Sequence, residues 1–381
     1  MRPMDRPFAV GRRYHERRLD GTRTTAALIS PVAMPVATET RSTVFTRRYD
    51  ARRSEWTSEL VEPAPMLAEP PEMPNALDDV LSESRERLME VDDARCQMSV
   101  EVGDREFENS DGLVEHTKRT WCDVEVSKTW RGHTLRSYEG VAQIADVPEV
   151  VTRRIAEIES RVACLRRPPL PAPGTANVLL ESPVAEVLFH ELVGHGSEGG
   201  LFHAIGLPFT ITANHPRCRG HDDEGVRVGR AVLVGEGSTA RTTDRETAGG
   251  ASPSGLAQAG FHSGAPHRRC THMTVEPLET TPAPQTGEAV ITCRDIVSAQ
   301  LWGDCAVIRI GDARITDRDG LRAVETFDLV LSLADLQRCL TAVGPAADKP
   351  RGGRCTRYGD TLPTVTRAPS LVLSEVCLHA A

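Results

Sequence analysis

Residues 76–91, ALDDVLSESRERLMEV, place Leu77, Val80, Leu81, Leu88 and Val91 near helical spacing and predict an amphipathic helix. Residues 148–165 predict a second, with Val151, Ile155, Ile158, Val162 and Leu165 on one face. Between them the period shortens. MSVEVGDREFENSDGL at 98–113 reads as a strand, a Gly-Asp turn, a second strand and a turn, and CDVEVSKTW at 122–130 as the next strand. RRPPLPAPG at 166–174 then stops any regular element and marks the clearest domain boundary. Beyond it the apolar run VAEVLF predicts one central helix, followed by short β-prone runs separated by turn residues: AVLVGEG, AVITCRDIV, CAVIRIGDARI, TFDLVLSL and SLVLSEV. The fold class is therefore α+β, with an N-terminal α/β region over residues 1–165 and a strand-rich C-terminal domain over residues 175–381.

Composition narrows the picture. The net charge of −9 argues against a nucleic-acid binder working through bulk charge, and 4% aromatic residues argue against base-stacking platforms. The 30 Gly and 26 Pro predict abundant turns and loops, among them the five-proline segment VEPAPMLAEPPEMPN at 61–75. The Arg-rich first fifty residues read as a solvated face, and residues 55–115 are acidic. No apolar stretch is long enough for a signal-peptide core or a spanning helix, so the expectation is a cytoplasmic protein with no membrane partner. The 10 cysteines are scattered and form no CxxC, which predicts reduced thiols, one of them open to a metal.

The sharpest local signal is His190-Glu191-Leu192-Val193-Gly194-His195. Two neutral imidazoles suit Zn²⁺, and a carboxylate beside the first is placed to take a proton from a water at the metal. The spacing is not that of HExxH. On a regular α-helix five residues leave the second imidazole about 140° from the first. A π-turn, or a helix that widens or ends at Gly194, would bring His195 back into line with His190, and glycine makes that distortion cheap.

VLFHELVGHGSEGG closely resembles the zinc motif of the TldD/PmbA family of metallopeptidases. Further matches follow in family order: ENSDGL at 108–113, HDDEGV at 221–226, APHRRCTHM at 265–273, GEAVITCRDI at 287–296 and GGRCTRYGDTLPTV at 352–365. The resemblance implies a zinc site of His190, His195 and Cys355, with Glu191 as general base and the central helix as the metal-binding helix of a catalytic domain. Glu198 is expected to orient a ligand histidine, and Arg269, Thr271 and His272 to lie in the site's surroundings or against substrate. His203, His215, His221 and His267 are rival ligands by residue type alone. Asp222 and Asp223 beside glycine read as turn formers. Thr356-Arg357 replaces the family's Gly-Lys and Asp360 its Gln, while the N-terminal region reads as shortened and diverged.

The implied activity is zinc-dependent hydrolysis of peptide bonds in unfolded or extended peptides that add as a β-strand to a sheet edge. The implied assembly is a homodimer, or a heterodimer with a related zinc-free subunit. A non-catalytic scaffold subunit of such a complex is one alternative. A specialised peptidase maturing one peptide-derived metabolite is another.

Overall fold

A computed structural model of the chain describes residues 13–30, 36–50, 55–61, 72–131, 133–199, 206–216, 220–235, 238–239, 242, 253–260, 266–280, 290–317, 320–346 and 349–381. His203 and most of the proline-rich segment lie outside these residues. The first part of the chain contains β1 (Arg13–Ile29), β2 (Val36–Asp50), β3 (Glu55–Val61), α1 (Leu77–Met89), β4 (Ala94–Asn109), β5 (Val114–Trp130), β6 (His133–Val141) and α2 (Val147–Cys164). The centre contains β7 (Thr175–Leu180), α3 (Ser182–Phe189), a π-helical segment (His190–His195) and the short α4 (Gly196–Gly199). After these come β8 (Phe209–Asn214), β9 (Ala231–Gly235), β10 (Ser238–Thr239), β11 (Ala257–Gln258), β12 (His267–Arg268) and β13 (His272–Pro277). The last part holds β14 (Val290–Trp302), β15 (Cys305–Asp317), β16 (Gly320–Val324), β17 (Phe327–Ser332), α5 (Leu333–Cys339), β18 (Leu340–Ala346), β19 (Gly352–Arg357), β20 (Asp360–Arg367) and β21 (Pro369–Ala380). The class is α+β and strand-rich.

One sheet among the described residues has the order β10-β9-β8-β13-β20-β19-β6-β5-β4-β1-β2-β3. Its two halves meet at a single residue pair, Gly352 opposite Gly140. In a second sheet β14, β7, β21, β17 and β15 follow one another, and the pairing of β14 with β15 closes them into a barrel. Helices α1 and α2 bury Val80, Leu81, Leu88, Val150, Ile158 and Val162 against Met98, Val100, Val124 and Val126 of β4 and β5. A larger core places Leu188 and Phe189 of α3 among Val178 and Leu180 of the barrel and Phe209, Ile211 and Val275 of the first sheet. The central helix therefore runs between the sheets and is buried almost all round, as its apolar run requires.

Three local readings change. The Gly103-Asp104 turn is absent, because β4 runs straight through it, paired to β1 on one side and to β5 on the other. Its turn falls after Asn109, whose side-chain oxygen accepts the amides of Asp111 and Leu113, both at 3.0 Å. The Arg-rich N-terminal stretch forms β1 and β2, in which Arg18 is only 3% exposed and Ala27 and Ile29 belong to the core. Helix α5 has no counterpart in the sequence reading, although its Ser332-x-x-Asp335 capping box is a readable signal.

Candidate metal centre and cleft

The central helix begins where β7 ends, with the amide of Glu181 donating to Cys293 O at 3.0 Å and Pro183 in the first helical turn. Residues His190–His195 then adopt the wider π turn, and the rings of His190 and His195 lie 4.7 Å apart by centroid. Gly194 packs against Met273 at this turn, where a Cβ would stand 3.0 Å from Met273 Sδ. Cys355 arrives from β19 and places Sγ 3.2 Å from His195 Nε2. Ligand atoms of His190, His195 and Cys355 all lie within 4.8 Å of one another, the one such group among the described residues.

Second contacts hold two of the three donors, His195 and Cys355, in place. His195 Nδ1 is 3.0 Å from Glu198 Oε2, which also accepts Arg357 Nη1 at 3.1 Å, while Glu198 Oε1 accepts the Cys270 amide at 2.5 Å. Fixing Nδ1 on a carboxylate directs Nε2 toward the thiol. Arg269, 1% exposed, donates Nη2 to Cys355 Sγ at 3.3 Å and to Cys355 O at 3.0 Å. Thr271 is tied to Gln258 Nε2 at 2.8 Å, and its carbonyl accepts the Val365 amide. His272 packs behind the site, where burial first and the charge of His190 second lower it to about 4. Arg269, Thr271 and His272 do not line the cleft.

Charge at the centre is strongly coupled. Burial opposes ionisation of Cys355, yet the two imidazoles outweigh it and bring the thiol down to about 5. Burial likewise opposes charging of His195, but the hydrogen bonds with Cys355 and Glu198 raise it to about 10. Burial resists the charge on Glu198 too, and the His195 contact prevails and lowers it. Neither ring nitrogen of the buried His190 has a hydrogen-bond partner. Two imidazoles, one of them orphaned, and a readily formed thiolate fit Zn²⁺.

The centre opens into a cavity of about 1120 Å³. Pro183, Glu186, Val187, His190 and Glu191 front it from the helix, at the i, i+3, i+4, i+7, i+8 positions of one face. Tyr138 of β6, Arg161 of α2 and residues 295–301 of β14 supply further walls. Glu191 is 8% exposed, with Oε2 3.8 Å from His195 Nε2. One edge of β14 pairs with β15 to its end, whereas the other pairs with β7 only from Val290 to Cys293, so residues 294–302 leave an edge unpaired among the described strands.

The described rival histidines, His215, His221 and His267, lie outside the donor group. His215 lines a second cavity of about 370 Å³ with Asp223 and Gln258, and His267 stacks on Tyr358 at 4.6 Å. His221 donates its amide to Glu115. Asp222 caps a turn, its Oδ1 accepting the amides of Glu224 and Val226 at 2.9 Å, and Asp223 pairs with Arg105. Sequence reasoning missed Arg357 as the partner of Glu198, and it missed Glu186 on the cleft wall. The helical spacing of Glu186 from His190 carried the second signal.

No protein-family model and no curated protein matches the chain. Solved structures do. The chain is similar to TldE from Thermococcus kodakarensis, with a TM-score of 0.69, 13% identity and coverage of 96% of this chain and 97% of that one. It is also similar to a proposed modulator of DNA gyrase from Bacteroides thetaiotaomicron, with a TM-score of 0.66, 14% identity and coverage of 97% and 95%. A third structure, of another proposed DNA gyrase modulator, from Thermotoga maritima, gives 0.65, 14% and 96% of each chain. The architecture is thus of the TldD/PmbA type. The overlap takes in nearly the whole of each chain.

Proposed function

We propose that the chain is a zinc-dependent metallopeptidase that hydrolyses peptide bonds in unfolded or extended peptides. His190, His195 and Cys355 would hold the metal, and Glu191 would act as general base. The observation that carries this reading is the convergence of those three donors within 4.8 Å, beside Glu191, on the wall of a large cleft. Zinc, when bound, supplies Lewis-acid polarisation of the scissile carbonyl. Glu191 takes the proton released as water attacks that carbonyl and passes it to the leaving amine. Glu198 fixes the tautomer of His195, and Arg269 steadies the Cys355 thiolate. The unpaired edge over residues 294–302 offers main-chain donors and acceptors to an extended peptide, which recognises backbone rather than sequence.

On this reading residues 175–381 form the peptidase domain, and residues 1–165 contribute a cleft wall through Tyr138 and Arg161. No helix among the described residues is long and apolar enough to cross a membrane. The test is metal content of the purified protein together with cleavage of an unstructured peptide. One zinc per chain and chelator-sensitive hydrolysis are expected. A zinc-loaded protein that leaves every such peptide intact overturns the activity.

A further inference from the structure

Most of the arginines that line the cleft are held by the protein itself. Arg351 donates Nε to Tyr138 O at 2.6 Å and Nη1 to Asp295 Oδ1 at 2.8 Å, and Arg354 donates Nε to Asp123 Oδ2 at 2.8 Å and Nη1 to Glu101 Oε2 at 3.2 Å. Arg161 gives Nη1 and Nη2 to the carbonyls of Arg136 and Gly311, and Arg136 faces Glu125 at 3.6 Å. Arg357, beside His195 and Cys355 on the same wall, differs. Nη1 alone makes its hydrogen bonds, to His195 O at 3.2 Å and to Glu198 Oε2 at 3.1 Å. Nε and Nη2 meet no acceptor among the described residues, and neither is sealed from solvent on a side chain that is 24% exposed. These two nitrogens form the side-on fork of a guanidinium. Elsewhere in the chain the same pair grips carboxylates, Arg309 taking Asp328 at 2.8 and 2.9 Å and Arg314 taking Asp312 at 3.0 and 2.7 Å. The fork of Arg357 is also held still. Tyr358 has a φ of 55°, a left-handed value that is costly for an aromatic residue, and its ring lies 5.1 Å from the Arg357 guanidinium and 4.6 Å from the ring of His267.

We propose that Arg357 is a specificity-determining residue that receives a carboxylate of the substrate. The inference rests on the peptidase reading above. With Nη1 occupied, the guanidinium offers the cleft two parallel donors, which suit the paired oxygens of a carboxylate better than the single oxygen of a peptide carbonyl. The contacts through Glu198 keep Nη1 within about 10 Å of a metal on His195 Nε2. An extended peptide rises about 3.3 Å per residue, so the carboxylate falls within about three residues of the bond to be cut. That group is either the substrate's C-terminus or an aspartate or glutamate side chain. The first would make the enzyme remove short C-terminal pieces, the second would make it cut near acidic residues.

Binding of fluorescent alanine-based peptides to the metal-free full chain, where no cleavage intervenes and no metal competes for the carboxylate, decides the matter by anisotropy. The peptides carry their label at the amino end and are one with a free C-terminal carboxylate and no acidic side chain, one C-terminally amidated with an internal aspartate, and the amidated peptide with asparagine in place of aspartate. The asparagine peptide is expected to bind at least roughly tenfold more weakly than one of the two carboxylate peptides. The carboxylate peptide that binds more tightly identifies the source. Arg357→Gln should bring all three to near-equal affinity, with a melting curve confirming its fold. Equal binding of all peptides to the wild-type chain overturns the inference without recourse to any variant, as does a preference that a folded Arg357→Gln retains. If the preference holds and the zinc-loaded chain cleaves none of the peptides, the peptidase reading fails alone. Cleavage without preference sinks only the role of Arg357.

Discussion

Glu191 and Glu186 both line the cleft from the central helix. If Glu191 takes the proton from the attacking water, Glu191→Gln should retain zinc and the melting temperature while turnover falls by roughly 10² to 10⁴. Full turnover in that variant would reject the role. Glu186 makes a different prediction. Its folded-state value, about 8, lies above its ordinary value of 4.5. Between those limits the native chain keeps a proton that the unfolded chain has released, so this group's contribution is fully present at low pH and is lost as pH rises through the window. Glu186→Gln should therefore match the wild type near the lower limit and exceed it near the upper one by roughly 1–3 kcal/mol. Urea denaturation at both pH values measures the difference. A difference independent of pH would show that the carboxyl is not buried neutral.

At the scale of elements, the centre depends on a junction as much as on the helix. Cys355 sits on β19, which meets β6 only through Gly352 and Gly140. A Cβ at Gly352 would stand 2.1 Å from Gly140 O and 2.8 Å from Trp121 Cη2, and neither a backbone oxygen in a ladder nor a packed indole yields cheaply. Gly352→Ala should cost about 1–3 kcal/mol and weaken zinc binding as β19 shifts the thiol, read by thermal melting and competitive metal titration. Undiminished metal affinity in a destabilised variant would show that the thiol is positioned independently of the junction. The π segment follows the same logic within the helix. The sequence places two imidazoles five apart with a glycine between, and only a widened turn lets both rings share one side.

For the whole molecule, the strands at the borders of the long sheet and the unpaired edge of β14 leave backbone groups that a lone subunit must cover. Trp302 and Val297, 74% and 65% exposed, stand on that same strand. The expected assembly is a two-fold dimer, with itself or with a related zinc-free subunit, burying at least roughly 1,000 Å² and keeping folded proteins from the centre. Light scattering at micromolar concentration checks it. A fully active monomer would refute obligate pairing, and an inactive monomer rescued by a related subunit would favour the heterodimer.

The sequence by itself determined the local terms: the two packing helices, the apolar entry into HELVGH, the need for a widened turn there, and the strands β9, β14, β15, β17 and β21. These depend on neighbours within one or two turns, where periodicity and turn chemistry are legible. Tertiary structure decided the rest. Strands β1 and β2 are rich in Arg and Thr; β1 gains its place by pairing with β4 and β2 by pairing with β1, which no local pattern displays, and the β1 pairing carries β4 through Gly103. Arg269, Arg357 and Glu198 meet from separate elements, and Cys355 lies 160 residues from the histidine it touches. The physical reason is that a buried charge takes its meaning from whatever else is buried beside it. Glu186 is an ordinary helical glutamate in the sequence, and only the sheets closing around it remove its water.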